Sequence, residues 1–156
     1  MQIKILIIGK TASKEIASLI DDYQNRLKHY TKLEVEYIEP KKSKKQKEPL
    51  VQQEDEGELI IKRIDNSALL VLLDESGKQY TSVNFAAYLQ KQLLSGKKEL
   101  FFVIGGAYGF SEAVYQRADA KLSLSKMTFT HQMVRLIFIE QLYRAFTILK
   151  GEKYHH

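Results

Sequence analysis

Three stretches of the chain are apolar at nearly every position: "IKILIIG" (3–9), "ALLVLLD" (68–74) and "ELFFVIGG" (99–106). A strand with one wet face alternates apolar and polar residues, so unbroken runs need cover on both faces. Cover of that kind comes from helices, and the intervening segments supply them. "SKEIASLIDDYQNRLKHY" (13–30) places Ile16, Leu19, Ile20, Tyr23 and Leu27 at helical spacing. Helices are also predicted from Pro49 to about Ile64, over 82–95 closed by Gly96, over 112–119 and over 131–149 ended by Gly151. Ser111 is the expected N-cap of the fourth, with Phe110 and Tyr115 as a hydrophobic staple. Two further strands complete the series: "LEVEYIEP" (33–40), stopping at Pro40, and 121–125, where Leu122 and Leu124 alternate with Ser123 and Ser125. Asp74-Glu75-Ser76-Gly77 has turn chemistry. The predicted class is α/β: a mostly parallel five-stranded sheet with helices on both faces, in one domain spanning 1–156.

Composition narrows the chemistry. The chain has no cysteine, which excludes disulfides, thiolate catalysis and thiolate-bound zinc. Its apolar runs are too short for a signal peptide or a membrane span, so a cytoplasmic location without membrane contact is expected. Net charge is +5, and "KKSKKQK" holds five lysines without an acid, so the rest sums to zero. Lys41, Lys42, Lys44, Lys45 and Lys47 form either a solvated loop or an arm that contacts RNA phosphates.

Ligands of open α/β sheets bind outside the carboxyl ends of the strands. Here those ends are Leu72-Leu73-Asp74, Ile104-Gly105-Gly106 and Leu124 through Phe129. "GGAYGFS" leads from a strand into a capped helix, so its backbone is able to approach a ligand closely; a tight turn without a ligand is the alternative. The first strand-to-helix turn offers only Gly9-Lys10, so the dinucleotide fingerprint is missing, as are a phosphate-binding P-loop and an H-E-x-x-H metal site. His29, His131, His155 and His156 show no metal-site spacing, and no metal is expected.

The segment "KLSLSKMTFTHQMVR" (121–135) holds a loop without glycine or proline, then His131 and, one helical turn on, Arg135. The pair is either a capping-region histidine with a surface charge or part of a site. Phe138, Leu142 and Phe146 share its face, whereas Glu140, Tyr143 and Arg144 lie on a more polar side. The last helix is apolar around more than half its circumference, more than one sheet face covers, which points to a homodimer.

"LLDESGK", "FFVIGGAYGFS" and "LSLSKMTFTHQMVRLIFIEQLYRAFTILKGEKYHH" resemble the RlmH family of the SPOUT superfamily along essentially the whole chain. The resemblance implies a homodimeric α/β fold with a C-terminal trefoil knot, a feature that no periodicity demands. It implies S-adenosylmethionine-dependent methylation of N3 of a pseudouridine in large-subunit (23S) ribosomal RNA, free or within an assembled ribosome. It places the methyl donor against Leu73, against Gly105 and Gly106, and along Leu124, Ser125, Lys126, Met127, Thr128 and Phe129. An imide acceptor is mostly protonated at neutral pH, so help in removing its proton, or in stabilising its anion, is required. His131 with Arg135 is one candidate for this; the tail, Tyr154, His155 and His156, reaching a partner's site, is the other. Family tails often carry a basic residue after Tyr-His, where this chain has His156. A non-enzymatic RNA- or ribosome-binding factor on the same fold is the competing reading. An enzyme using another nucleotide is disfavoured by the missing phosphate fingerprints.

Overall fold

The computed structural model describes residues 1–40 and 46–155. Lys41, Lys42, Lys44, Lys45 and His156 lie outside the described residues. The chain alternates β1 (Gln2–Ile8), α1 (Lys14–Leu27), β2 (Lys32–Ile38), α2 (Pro49–Ile61), β3 (Leu69–Lys78), α3 (Ser82–Leu93), β4 (Glu99–Ile104), α4 (Glu112–Arg117), β5 (Ala120–Leu122) and α5 (His131–Leu149). The strands form one sheet in the order β2-β1-β4-β3-β5, and every pairing is parallel.

The apolar runs at β1, β3 and β4 occupy the middle of this sheet and divide their side chains between two cores. Ile3, Ile5, Ile7, Val71, Phe102 and Ile104 point to one face, against Ile20 and Leu27 of α1, Phe85 and Leu89 of α3, and Phe138 and Leu142 of α5. Leu6, Ile8, Leu70, Leu72, Phe101 and Val103 point to the other, against Ile60 of α2 and Val114 of α4. Period-two alternation within a continuous apolar strand thus fills both layers, three helices on one face and two on the other. The edge strand β2, with its two glutamates partly exposed, is the alternating one.

Side-chain caps start three of the helices: Ser13, Thr81 and Thr130 accept from the N–H of Ile16, Asn84 and Met133. Ser111 has the extended cap conformation without a capping bond, because its hydroxyl lies against α2. A Cβ on Gly57 would fall 2.1 Å from Ser111 Oγ, so that glycine lets α2 and α4 touch. The staple forms nonetheless, with the Phe110 and Tyr115 rings edge-on at 5.8 Å.

The ends of β2, α2, α3 and α4 fall two or three residues short of expectation, and two further boundaries bear on the strand ends. β5 stops at Leu122, and Leu124 belongs to the following loop. β3 continues to Lys78, because Leu73 and Lys78 both register with Leu122 and the chain between them bulges out. Asp74-Gly77 is therefore a turn set inside a strand. At its end Gly77 crosses the backbone of Lys121 and Leu122 so closely that a Cβ would sit 2.6 Å from Leu122 N and C.

α5 spends much of its apolar excess within its own chain. It lies on the sheet between α1 and α3, burying Phe138, Ile139, Leu142, Ala145 and Phe146. Met133 remains exposed and Ile137 half-exposed on the outer side.

Candidate active site

The carboxyl ends of β3 and β4, the loop after β5 and the head of α5 enclose a cleft of about 810 Å³. Each wall has a local cause. The bulge of β3 swings Asp74, Glu75 and Ser76 out of the sheet and over the cleft. Beyond β4, Gly106 and Gly109 form a small bridge with Gly109 at φ +75°, where a side chain would be strained. The third wall, residues 123–130, turns without glycine or proline because serines supply the turns. Ser123 Oγ donates to Ser125 O at 3.0 Å, and Ser125 Oγ accepts from Met127 N–H at 2.9 Å. The buried Ser123 N–H is anchored on Lys78 O at 3.0 Å.

Of the residues expected to contact the methyl donor, Leu73, Gly105, Gly106, Leu124, Ser125, Met127, Thr128 and Phe129 line the cleft, and so does His131; Lys126 does not. Arg135 turns away from it. The side chain is buried, donating from Nη2 to Ile8 O at 2.8 Å and from Nη1 to Thr11 Oγ1 at 3.0 Å, and burial lowers its pKa. Helical spacing correctly sets it one turn after His131, but the carboxyl end of β1 captures it. Gln132 adds to this tie, its Oε1 accepting from Ala12 N–H at 2.8 Å. Tyr154 is also outside the cleft of its own chain. Its hydroxyl shares a hydrogen bond with Tyr23 at 3.1 Å and donates to Glu140 at 3.0 Å, midway along α5. His155 does not line the cleft either, and Lys47 pairs with Asp55 of α2.

Three residues at or beneath the site were given no chemical role from sequence. Asp74 read as the end of a strand beside the ligand-binding edge and as a turn former. Its Oδ1 accepts from Ser76 N–H at 2.8 Å and from the Ser76 hydroxyl, and its Oδ2 from Tyr115 OH at 2.6 Å. Burial opposes the ionised form, but these bonds and nearby Lys121 outweigh it and hold the carboxyl below its usual range. Tyr115, read as a staple, is pushed up to about 12 by burial and by donating to Asp74. Glu56 of α2 is buried beneath the glycine loop: a Cβ on Gly106 would meet its carboxylate at 2.6 Å. Burial raises the Glu56 pKa, and Gln52 Nε2 donates to it at 2.9 Å. The sequence signal was Gly57, a glycine inside a helix, which usually marks a close approach.

The whole chain fits one known family. The profile of the family described as "Predicted SPOUT methyltransferase" matches residues 1–155. The chain belongs to this family. It is 58% identical over 156 residues to the Ribosomal RNA large subunit methyltransferase H of Christiangramia forsetii, with 100% of this chain and 99% of that protein covered. The proteins of the same name from Flavobacterium johnsoniae and Parabacteroides distasonis are 54% and 53% identical at the same coverage. Met127 and Phe129 leave large apolar surfaces exposed in the cleft, Gly105 and Gly106 let Phe110 and Glu56 pack close behind the loop, and the carboxylates of its wall are Asp74 and Glu75. Among the described residues no group of acids and histidines is arranged to hold a metal ion, and no helix is long and apolar enough to cross a membrane.

Proposed function

We propose that the chain is an S-adenosylmethionine-dependent methyltransferase acting on N3 of a pseudouridine in large-subunit ribosomal RNA. The observation that carries this is the cleft itself. In a chain that matches ribosomal RNA methyltransferases end to end, the strand-end and loop residues expected from sequence to contact the donor, Lys126 apart, converge on one apolar-walled space. A non-enzymatic factor would have no use for that convergence.

When bound, S-adenosylmethionine supplies an already activated methyl group. The remaining tasks are alignment, exclusion of water and handling of one proton. The apolar side chains of Leu124, Met127 and Phe129 line the space, and the backbone from Leu124 to Phe129 offers polar edges to an adenine. His131, exposed at the head of α5, is placed to accept or orient the acceptor's proton. Arg135, committed to Ile8 and Thr11, suits a positioning role: it fixes the helix that carries His131. Tyr154 and His155 suit a partner's cleft better than their own, and a homodimer is part of this reading. So are a single domain, a cytoplasmic location and the family's C-terminal knot.

The test is direct. Purified protein with S-adenosylmethionine should methylate large subunits from cells lacking the gene, and mass mapping should place the methyl on a pseudouridine. Donor addition should also raise the melting temperature by mass action. Neither stabilisation nor transfer, with ribosome binding retained, would return the chain to the non-enzymatic reading. If the lysine run contacts phosphates, neutralising Lys41, Lys42, Lys44, Lys45 and Lys47 should flatten the salt dependence of RNA binding and spare donor affinity; an unchanged slope leaves it a solvated loop.

A further inference from the structure

The cleft's charge is opposite to that of the protein around it. The chain carries +5 overall, yet the acids lining the cleft are Asp74 and Glu75, with no lysine or arginine among the described lining residues. An RNA methyltransferase needs positive charge for its polyanionic substrate, and the cation nearest Asp74, Lys121, stays outside the cleft lining and donates to Ser76 Oγ at 2.9 Å. The two acids are not equivalent. Glu75 is exposed, where water and salt screen it, whereas Asp74 is half-buried. Its carboxylate is also fixed, with Ser76 held on one oxygen and Tyr115 on the other. A prefixed anion meets a cation without the cost of being ordered. The same anion, covered by an uncharged ligand, loses water and gains nothing in return.

We infer that Asp74 makes the cleft sensitive to charge: it favours the cationic methyl donor over the demethylated product, and so hastens product exit after each transfer. The inference rests on the methyl-donor reading of the cleft. Donor and product share the adenine, ribose and amino-acid parts and differ by one methyl group and one positive charge on sulfur. Contacts with the glycine loop and the apolar walls hold both alike. A carboxylate at the cleft wall is the one kind of group there that tells them apart strongly, because its attraction vanishes when the sulfonium becomes a thioether. Asp74 is thus assigned as a specificity-determining residue.

A purely structural Asp74, a turn former that merely props the wall, predicts something different. Its loss would weaken donor and product together, and the isosteric Asp74→Asn would be milder than the longer Asp74→Glu. Charge sensing reverses the order. Titration calorimetry with S-adenosylmethionine and S-adenosylhomocysteine on the wild-type protein, Asp74→Asn and Asp74→Glu separates the two. We expect Asp74→Asn to lose about tenfold in donor affinity with a much smaller change for the product, and Asp74→Glu to keep the donor preference. Equal losses for both ligands in Asp74→Asn would overturn the inference. Asp74→Glu is the second arm and decides even if Asp74→Asn fails to fold: it keeps the charge, so loss of its donor preference would overturn the inference as well. If the wild type binds neither ligand, the methyl-donor reading itself fails; if it binds both and the ratio ignores the charge at residue 74, only charge sensing does.

Discussion

Glu56 shows what a single residue reveals once its surroundings are known. From sequence it is one acid among several in a polar helix; in the fold it is buried against the backbone of Gly106. Burial disfavours its charge and raises its pKa above the ordinary carboxylate range. The native state therefore holds the proton more tightly than the unfolded chain, so stability falls as pH rises from about 4.5 through the raised native pKa. Glu56→Gln removes the ionisation and leaves the volume. Urea melts at mildly acidic and neutral pH should show a flatter pH dependence for the variant, with its gain over wild type growing toward neutrality. A variant whose stability tracks the wild type in parallel at all pH values would show that the carboxylate is solvated. Because Gly106 lines the cleft, a shift in donor affinity accompanying the change would mark Glu56 as a positioning residue for the glycine loop.

At the scale of elements, β3 carries the sharpest prediction. Gly77 and Gly96 look alike in sequence, each a glycine near the end of an apolar stretch. Gly96 has φ +78° and open space around its Cα, so alanine there meets only backbone strain, about 1 kcal/mol. A Cβ at Gly77 would fall 2.6 Å from main-chain atoms of Leu122, and main chain in a sheet does not move aside as a flexible side chain does. Gly77→Ala should cost several times more, about 3 kcal/mol or loss of the fold, measured by chemical denaturation. Equal costs at the two sites would mean that β3 and β5 separate easily. The same pair shows what the sequence could convey. Binary pattern revealed the elements, because unbroken apolar runs and helical spacing are local properties. It also pointed to the end of the sheet where the cleft lies, because strand ends follow from the strands. It did not reveal that β3 resumes after its turn, that the Arg135 guanidinium is captured by β1, or that Glu56 lies under Gly106. Each of these is a contact between residues distant in sequence, and each replaces a common local role, such as turn, surface charge or helix acid, that sequence has no means to reject.

For the whole molecule, the outer side of α5 argues for a shared site. Exposed Met133 and half-exposed Ile137 form an apolar strip, followed along the same side by Glu140 and Arg144, which pair at 2.6 Å. The tail folds back onto that polar end. The Tyr154 ring packs edge-on against Tyr143 at 4.8 Å, Arg144 lies over it at 4.8 Å, and Tyr30 OH donates to Glu152 at 2.7 Å. A two-fold axis through Ile137 would pair positions equally far before and after it, bringing Glu140 to the partner's Val134 and Arg144 to the partner's Thr130. Both of those positions belong to the cleft, so such an axis brings each tail to the mouth of the other protomer's donor site. Ile137→Arg should then produce monomers in sedimentation, whereas deleting residues 154–156 should leave dimers that bind the donor and transfer methyl poorly. The decisive measurement mixes two inactive proteins. Gly105→Val presses on the ring of Phe110, 3.0 Å from a Cβ at that position, and so deforms the cleft wall but keeps its tail; the truncated chain keeps its donor site. If the site is shared, refolding the two together gives mixed dimers with one complete site each, and activity returns to about a quarter of the wild-type value per protomer. If each chain serves its own cleft, every mixed dimer has one protomer without a donor site and one without a tail, and no activity returns.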